Sequence, residues 1–104
     1  MQSSWTFLTN HAHVLLSLAS TPNATLREVA DRVGITERAA HRIVSDLENE
    51  GALIRTREGR RNHYEIRRDC PLRHPIEQHC SIGQLVEMVA REEDQPEKRS
   101  AAND

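Results

Sequence analysis

The sequence predicts a mostly α fold completed by one small β-hairpin (α+β), and three observations carry that expectation. Two short amphipathic segments stand either side of a single glycine between residues 25 and 50. Two short runs follow, at 52–57 and 62–66, separated by a glycine-containing turn. Further apolar stripes of helical period lie on both flanks, near residues 10–20 and 81–93. At 104 residues and 37% hydrophobic content the chain is expected to form one domain with a modest core. Only three aromatics occur, so that core must be aliphatic and closely packed.

Thr9 or Asn10 can cap a first helix running to about Ser20, with Phe7 and Leu8 able to extend it backwards. It has two apolar stripes. Leu8, Ala12, Leu15, Leu16 and Ala19 form one; Phe7, Val14 and Leu18, with His11 between them, form the other. One stripe can cover the domain core, and the other needs a second partner, either the C-terminal helix or another subunit. Thr21-Pro22-Asn23 ends the segment.

The next helix is expected over 26–33, where Leu26, Val29, Ala30 and Val33 fall at i, i+3, i+4 and i+7. Thr25 and Glu28 make a T-x-x-E capping box at its start. Gly34 follows the last apolar position, where a left-handed cap is usual. Thr36 then caps a third helix to about residue 50, in which Ala40, Ile43, Val44 and Leu47 repeat the spacing. The connection is about three residues, as in a helix-turn-helix, and Ala30 is small where the two helices would cross. Opposite the apolar stripe lie Arg38, Arg42, Ser45 and Asn49, with His41 and Asp46 beside them. A charged helix face is commonly just solvated. Here the first turns carry Arg, His, Arg and Ser, and the next element is strongly basic.

Gly51 closes that helix, and 52–57 reads as a strand, 58–61 as a turn and 62–66 as a returning strand. Arg55, Arg57, Arg60 and Arg61 gather near the tip of the resulting hairpin. The stretch Glu50-Gly51-Ala52-Leu53-Ile54-Arg55-Thr56-Arg57-Glu58-Gly59-Arg60-Arg61-Asn62-His63-Tyr64-Glu65-Ile66 resembles the end of the recognition helix and the wing of ArsR/MarR-type winged helix-turn-helix regulators. In those proteins a Gly-aliphatic pair opens the wing, and an Arg-Glu-Gly-Arg turn leads to a tyrosine on the last strand. The resemblance covers roughly residues 8–67. It implies a sequence-specific regulator of transcription that binds double-stranded DNA, usually as a homodimer.

On that implication, Arg38 and Arg42 are candidates for guanine O6/N7 in the major groove, and His41 and Ser45 for base edges or phosphates. Thr36 and the N–H groups at the helix start suit a phosphate. Arg55, Arg57, Arg60, Arg61 and His63 of the wing would meet the backbone or the adjacent minor groove.

Residues 68–80 hold two prolines and read as an extended linker. Ser81 and Gln84 open a last helix to about residue 93, with Ile82, Leu85, Val86 and Val89 on one stripe. Phe7, His11, Val14 and Leu18 of the first helix together with Ile82, Leu85, Val86 and Val89 of the last are expected to form a dimer interface. The winged domain thus spans 1–93, and 94–104, without apolar periodicity, reads as a disordered tail.

Net charge is −2, yet residues 51–74 carry seven arginines against three acids, and 87–104 carry six acids against three cations. Cys70, His74, His79 and Cys80 could ligate zinc in principle, but their spacing is no familiar finger, and adjacent His79 and Cys80 would struggle to face one ion. No metal or other cofactor is expected. Two cysteines are too few for a disulfide scaffold, and no apolar run approaches a membrane span, so a cytoplasmic protein is expected. No nucleophile motif or paired carboxylates support catalysis. Two other functions fit the residues: a winged helix used only to bind protein, and a DNA-binding sensor of metal or thiol oxidation.

Overall fold

The computed structural model describes residues 5–90, and the chain divides after Arg67 into two units, Met1–Arg67 and Arg68–Asp104. The first holds helices α1 (Asn10–Ser20), α2 (Leu26–Val33) and α3 (Glu37–Asn49), then strands β1 (Leu53–Glu58) and β2 (Arg61–Ile66). The second holds one helix, α4 (Ile82–Val89).

Each helix starts where a side-chain oxygen can satisfy an otherwise orphaned N–H. Thr9 accepts from Ala12 N at α1, and Thr36 accepts from Ala39 N at α3. At α2 the capping box is complete: Thr25 Oγ1 accepts from Glu28 N at 3.1 Å, and Glu28 Oε1 accepts from Thr25 N at 2.8 Å. Gly34 ends α2 at φ 88°, a backbone conformation that disfavours a Cβ, and donates its N–H to Ala30 O. That left-handed residue turns the chain so that α3 begins after only three connecting residues.

Val14 and Leu18 of α1, Leu26 and Val29 of α2, Ile43 and Val44 of α3, Leu53 of β1 and Tyr64 of β2 make one buried cluster. The core is aliphatic apart from Tyr64. Its composition corrects one expectation about α1: the stripe assigned to a second subunit, Val14 and Leu18, is fully buried inside this unit. Those two positions lie on the face that α1 turns to α2 and α3, so the domain core claims them first.

The strands pair antiparallel from Leu53↔Ile66 to Glu58↔Arg61. This register leaves a two-residue turn, Gly59–Arg60, tighter than the four-residue turn expected, with Gly59 at φ 63°. Leu53, Tyr64 and Ile66 share the inward face. Beyond β2, the Pro22 carbonyl accepts the Tyr64 N–H at 2.9 Å, so the loop between α1 and α2 lines the outer edge of the hairpin.

In the second unit the stretch expected as an extended linker is folded back on itself. Pro71 and Ser81 form an isolated antiparallel bridge, flanked by Leu72 N–H to Cys80 O at 2.9 Å and Ile82 N–H to Cys70 O at 2.8 Å. Pro71 therefore stands at the position of the bridge that donates nothing, where its missing N–H is no loss. Ser81 and Gln84 complete a second capping box at α4, whose buried residues are Ile82 and Val86. Gly83 packs its backbone on Arg68: a Cβ there would meet the Arg68 carbonyl oxygen at 2.9 Å. Residues 91–93 of the expected helix and the tail 94–104 lie outside the described residues. Among the described residues no helix is long and apolar enough to cross a membrane.

Candidate nucleic-acid interface

The α3 helix turns Ala40, Ile43 and Val44 inward, which by its periodicity turns Arg38, Arg42, Ser45 and Asn49 outward. All four are exposed. Arg38 and Arg42 stand one turn apart and hold no hydrogen bond or ion pair with any described residue. Two guanidiniums left without protein partners on one helix face keep their full donor sets for an outside ligand. Beside them His41 Nε2 lies 3.6 Å from Glu37 Oε2, one turn back. Thr36 Oγ1 accepts from Ala39 N at 3.0 Å, so its own O–H proton remains to be donated. Asp46, the acid nearest this face, is occupied from the other side: His11 Nε2 of α1 approaches its Oδ2 at 2.9 Å. His11, expected at an interface, thus bridges α1 to α3.

The hairpin separates its arginines by role, which composition alone did not indicate. Arg55 pairs with Glu48 at the end of α3, at 3.2 Å. Arg57 donates from Nε to Gly59 O at 2.9 Å and braces the turn. Arg61 donates from Nη1 to Asn23 O at 2.7 Å and lies 3.7 Å from Glu28 Oε1. His63 Nδ1 lies 3.3 Å from Asn23 Oδ1. Arg60 alone of the wing arginines has no partner among the described residues, and it sits in the turn itself.

Asn23 and Glu58 are the participants that sequence reasoning missed. Asn23 Nδ2 donates to Glu58 Oε1 at 3.4 Å. In the sequence Thr21-Pro22-Asn23 signals only a helix end, and nothing local shows that it will lie against a hairpin 35 residues later. Glu28 gains from the same neighbourhood. Its carboxyl is held below the ordinary value, chiefly by the Thr25 backbone N–H; desolvation, the next effect in size, opposes it, and the Thr25 hydroxyl and the Arg61 and Arg32 charges lower it further.

The remaining candidates are less coherent. Among the described residues no group of three or more His, Cys, Asp or Glu side chains converges as a metal site, so Cys70, His74, His79 and Cys80 are not assembled into one. His74 instead accepts the Ile76 N–H on Nδ1. Of the residues expected between subunits, Val14, Leu18, Ile82 and Val86 are buried in the single chain and Leu85 is half-buried, while Phe7 (92% exposed), His11 and Val89 remain open.

Comparison with known proteins finds a similar domain and a similar fold. Residues 9–54 match the model of the winged helix-turn-helix DNA-binding family. The crystal structure of PcaV, a transcriptional regulator from Streptomyces coelicolor in complex with its natural ligand, is similar at 30% identity and a TM-score of 0.50, over 64% of this chain and 48% of that one. MepR, a transcription regulator of the Staphylococcus aureus multidrug efflux pump MepA, shares the fold at a TM-score of 0.50 and 16% identity, over 93% of this chain and 77% of that one. The chain spans about half the length of PcaV. No curated protein sequence matches. Residues 9–54 are thus similar to a winged helix-turn-helix DNA-binding model, and the chain shares its fold with these two solved transcription regulators.

Proposed function

We propose that this chain is a transcription regulator that binds duplex DNA by sequence, with α3 in the major groove and Arg60 of the wing on the backbone or in the adjacent minor groove. The observation that carries the proposal is the pair Arg38 and Arg42, exposed, one turn apart and without partners among the described residues. A guanidinium forms two parallel hydrogen bonds to guanine O6 and N7, and no other base pair offers two acceptors in that arrangement. Thr36 donates its hydroxyl proton to a phosphate at the start of the helix, while His41 and Ser45 extend the contact along the face. Arg55, Arg57 and Arg61 hold the wing in shape and act on DNA less directly than Arg60. The role proposed is binding rather than catalysis, and the location proposed with it is the cytoplasm.

The regulator works as a homodimer, with the exposed Met88 and Val89 of α4 as the contact to test first. Its two α3 helices then enter major grooves about 34–36 Å apart on a pseudo-palindromic site. Selection of bound duplexes from a random library, followed by mobility shifts across a salt series, tests the reading. The expected result is one enriched symmetric sequence whose affinity falls steeply with salt. A protein-binding scaffold would enrich no sequence, and that outcome would end the proposal.

A further inference from the structure

The hairpin is anchored unequally along its length. At its base Leu53 and Tyr64 are buried in the core and Ile66 packs against them. From Thr56 to Arg61 every residue is exposed, so no apolar contact holds the tip. A two-stranded ribbon without a packed face is at best marginally ordered in water. Yet the tip is where Arg60 sits, and a cation on a swinging lever contributes little to a defined contact.

Beside the Arg61–Glu28 ion pair at 3.7 Å, what grips the tip is one residue of the loop between α1 and α2, and it alone reaches both strands. Asn23 reaches β1 through Nδ2, which donates to Glu58 Oε1 at 3.4 Å. It reaches β2 twice: Oδ1 lies 3.3 Å from His63 Nδ1, and its main-chain carbonyl accepts from Arg61 Nη1 at 2.7 Å. Glu58 and Arg61 are the cross-strand pair that closes the turn, and His63 stands one pair further along the same face. A side-chain amide suits this place because it donates to a carboxylate and accepts from an imidazole N–H at once. An aspartate would repel Glu58, and a serine is too short to span both strands.

We infer that Asn23 is a positioning residue that locks the wing tip, and so holds Arg60 where it contacts DNA. The inference rests on the DNA-binding reading for its consequence, though not for the clamp itself. Each contact is exposed and individually weak, so Asn23→Ala leaves the fold intact and removes the two side-chain arms, while the main-chain arm to Arg61 persists.

The test has two arms. In the free protein, NMR relaxation of Asn23→Ala is expected to show backbone order parameters at Gly59 and Arg60 dropping from rigid values near 0.85 to below about 0.6, with α3 unchanged. Glu58→Ala, which removes one arm only, gives a smaller drop at the same two residues. Unchanged order at the tip in both variants overturns the clamp, whatever the protein binds. In the second arm, Asn23→Ala weakens binding to the selected duplex by about three- to tenfold. In an Arg60→Ala background it has no further effect, because the contact it positions is already gone. Equal losses in the two backgrounds refute the link from Asn23 to Arg60. If the wild-type chain selects no duplex, the proposed function falls, and the order parameters alone decide the clamp.

Discussion

Arg42 and Arg60 both lack partners among the described residues, and the proposed function gives them different work. Arg42 projects from the middle of a helix whose opposite face is locked into the core, so its guanidinium can meet a base edge in fixed register. Arg42→Ala should weaken binding to the selected site by about 1–3 kcal/mol and relax preference at one base pair. An equal loss on random duplex would show instead that Arg42 touches only phosphate. Arg60 lies in a turn and, on the proposed reading, would meet DNA as a charge. Arg60→Ala should weaken all duplexes alike and lower the salt slope by roughly one unit, as read from mobility shifts at several ionic strengths. The sequence shows four arginines in the hairpin and cannot rank them. Arg55, Arg57 and Arg61 find acceptors at Glu48, Gly59 and Asn23, and two of those three acceptors belong to other elements.

Among the elements, α2 shows most directly how a local code becomes a tertiary fixture. Its capping box closes within four residues, which is why it is readable without any fold. The folded chain then brings Arg61 toward the same carboxylate. Because the Glu28 pKa is lowered on folding, its stabilising contribution is complete above the ordinary carboxylate range and is lost as pH falls through the lowered value. Glu28→Gln keeps an acceptor for the Thr25 N–H and removes the charge. Thermal melts from about pH 7 to about pH 2 should therefore show less acid destabilisation in this variant than in the parent. The other end of α2 is set by Gly34. No atom lies within 4 Å of where its Cβ would be, so Gly34→Ala isolates backbone strain. It should destabilise by about 1 kcal/mol or more, measured by urea denaturation, and a neutral result would mean that the turn relaxes out of the left-handed region.

At the scale of the molecule, the first unit stands on a core to which every one of its elements contributes. Leu18, wholly buried among Val14, Val29 and Val44, is its most telling position. Leu18→Ala should cost about 2–5 kcal/mol by chemical denaturation, whereas a variant of an interface residue would lose association and keep monomer stability. Sedimentation of Met88→Glu against the parent probes association separately. The chain itself determined what depends on neighbours in sequence: helix starts at Thr9, Thr25, Thr36 and Ser81, the Gly34 turn, the apolar stripe of α3 and hence the outward placement of Arg38 and Arg42. These are legible because periods of 3.6 residues and caps of three or four act over a single turn. Only tertiary structure decided which stripe of α1 enters the core, that His11 meets Asp46, and that Asn23 holds the hairpin through Glu58, His63 and Arg61. The polar contacts among these join residues 35 or more positions apart, and no local pattern encodes which of several polar groups will face one another once the chain has closed on its core.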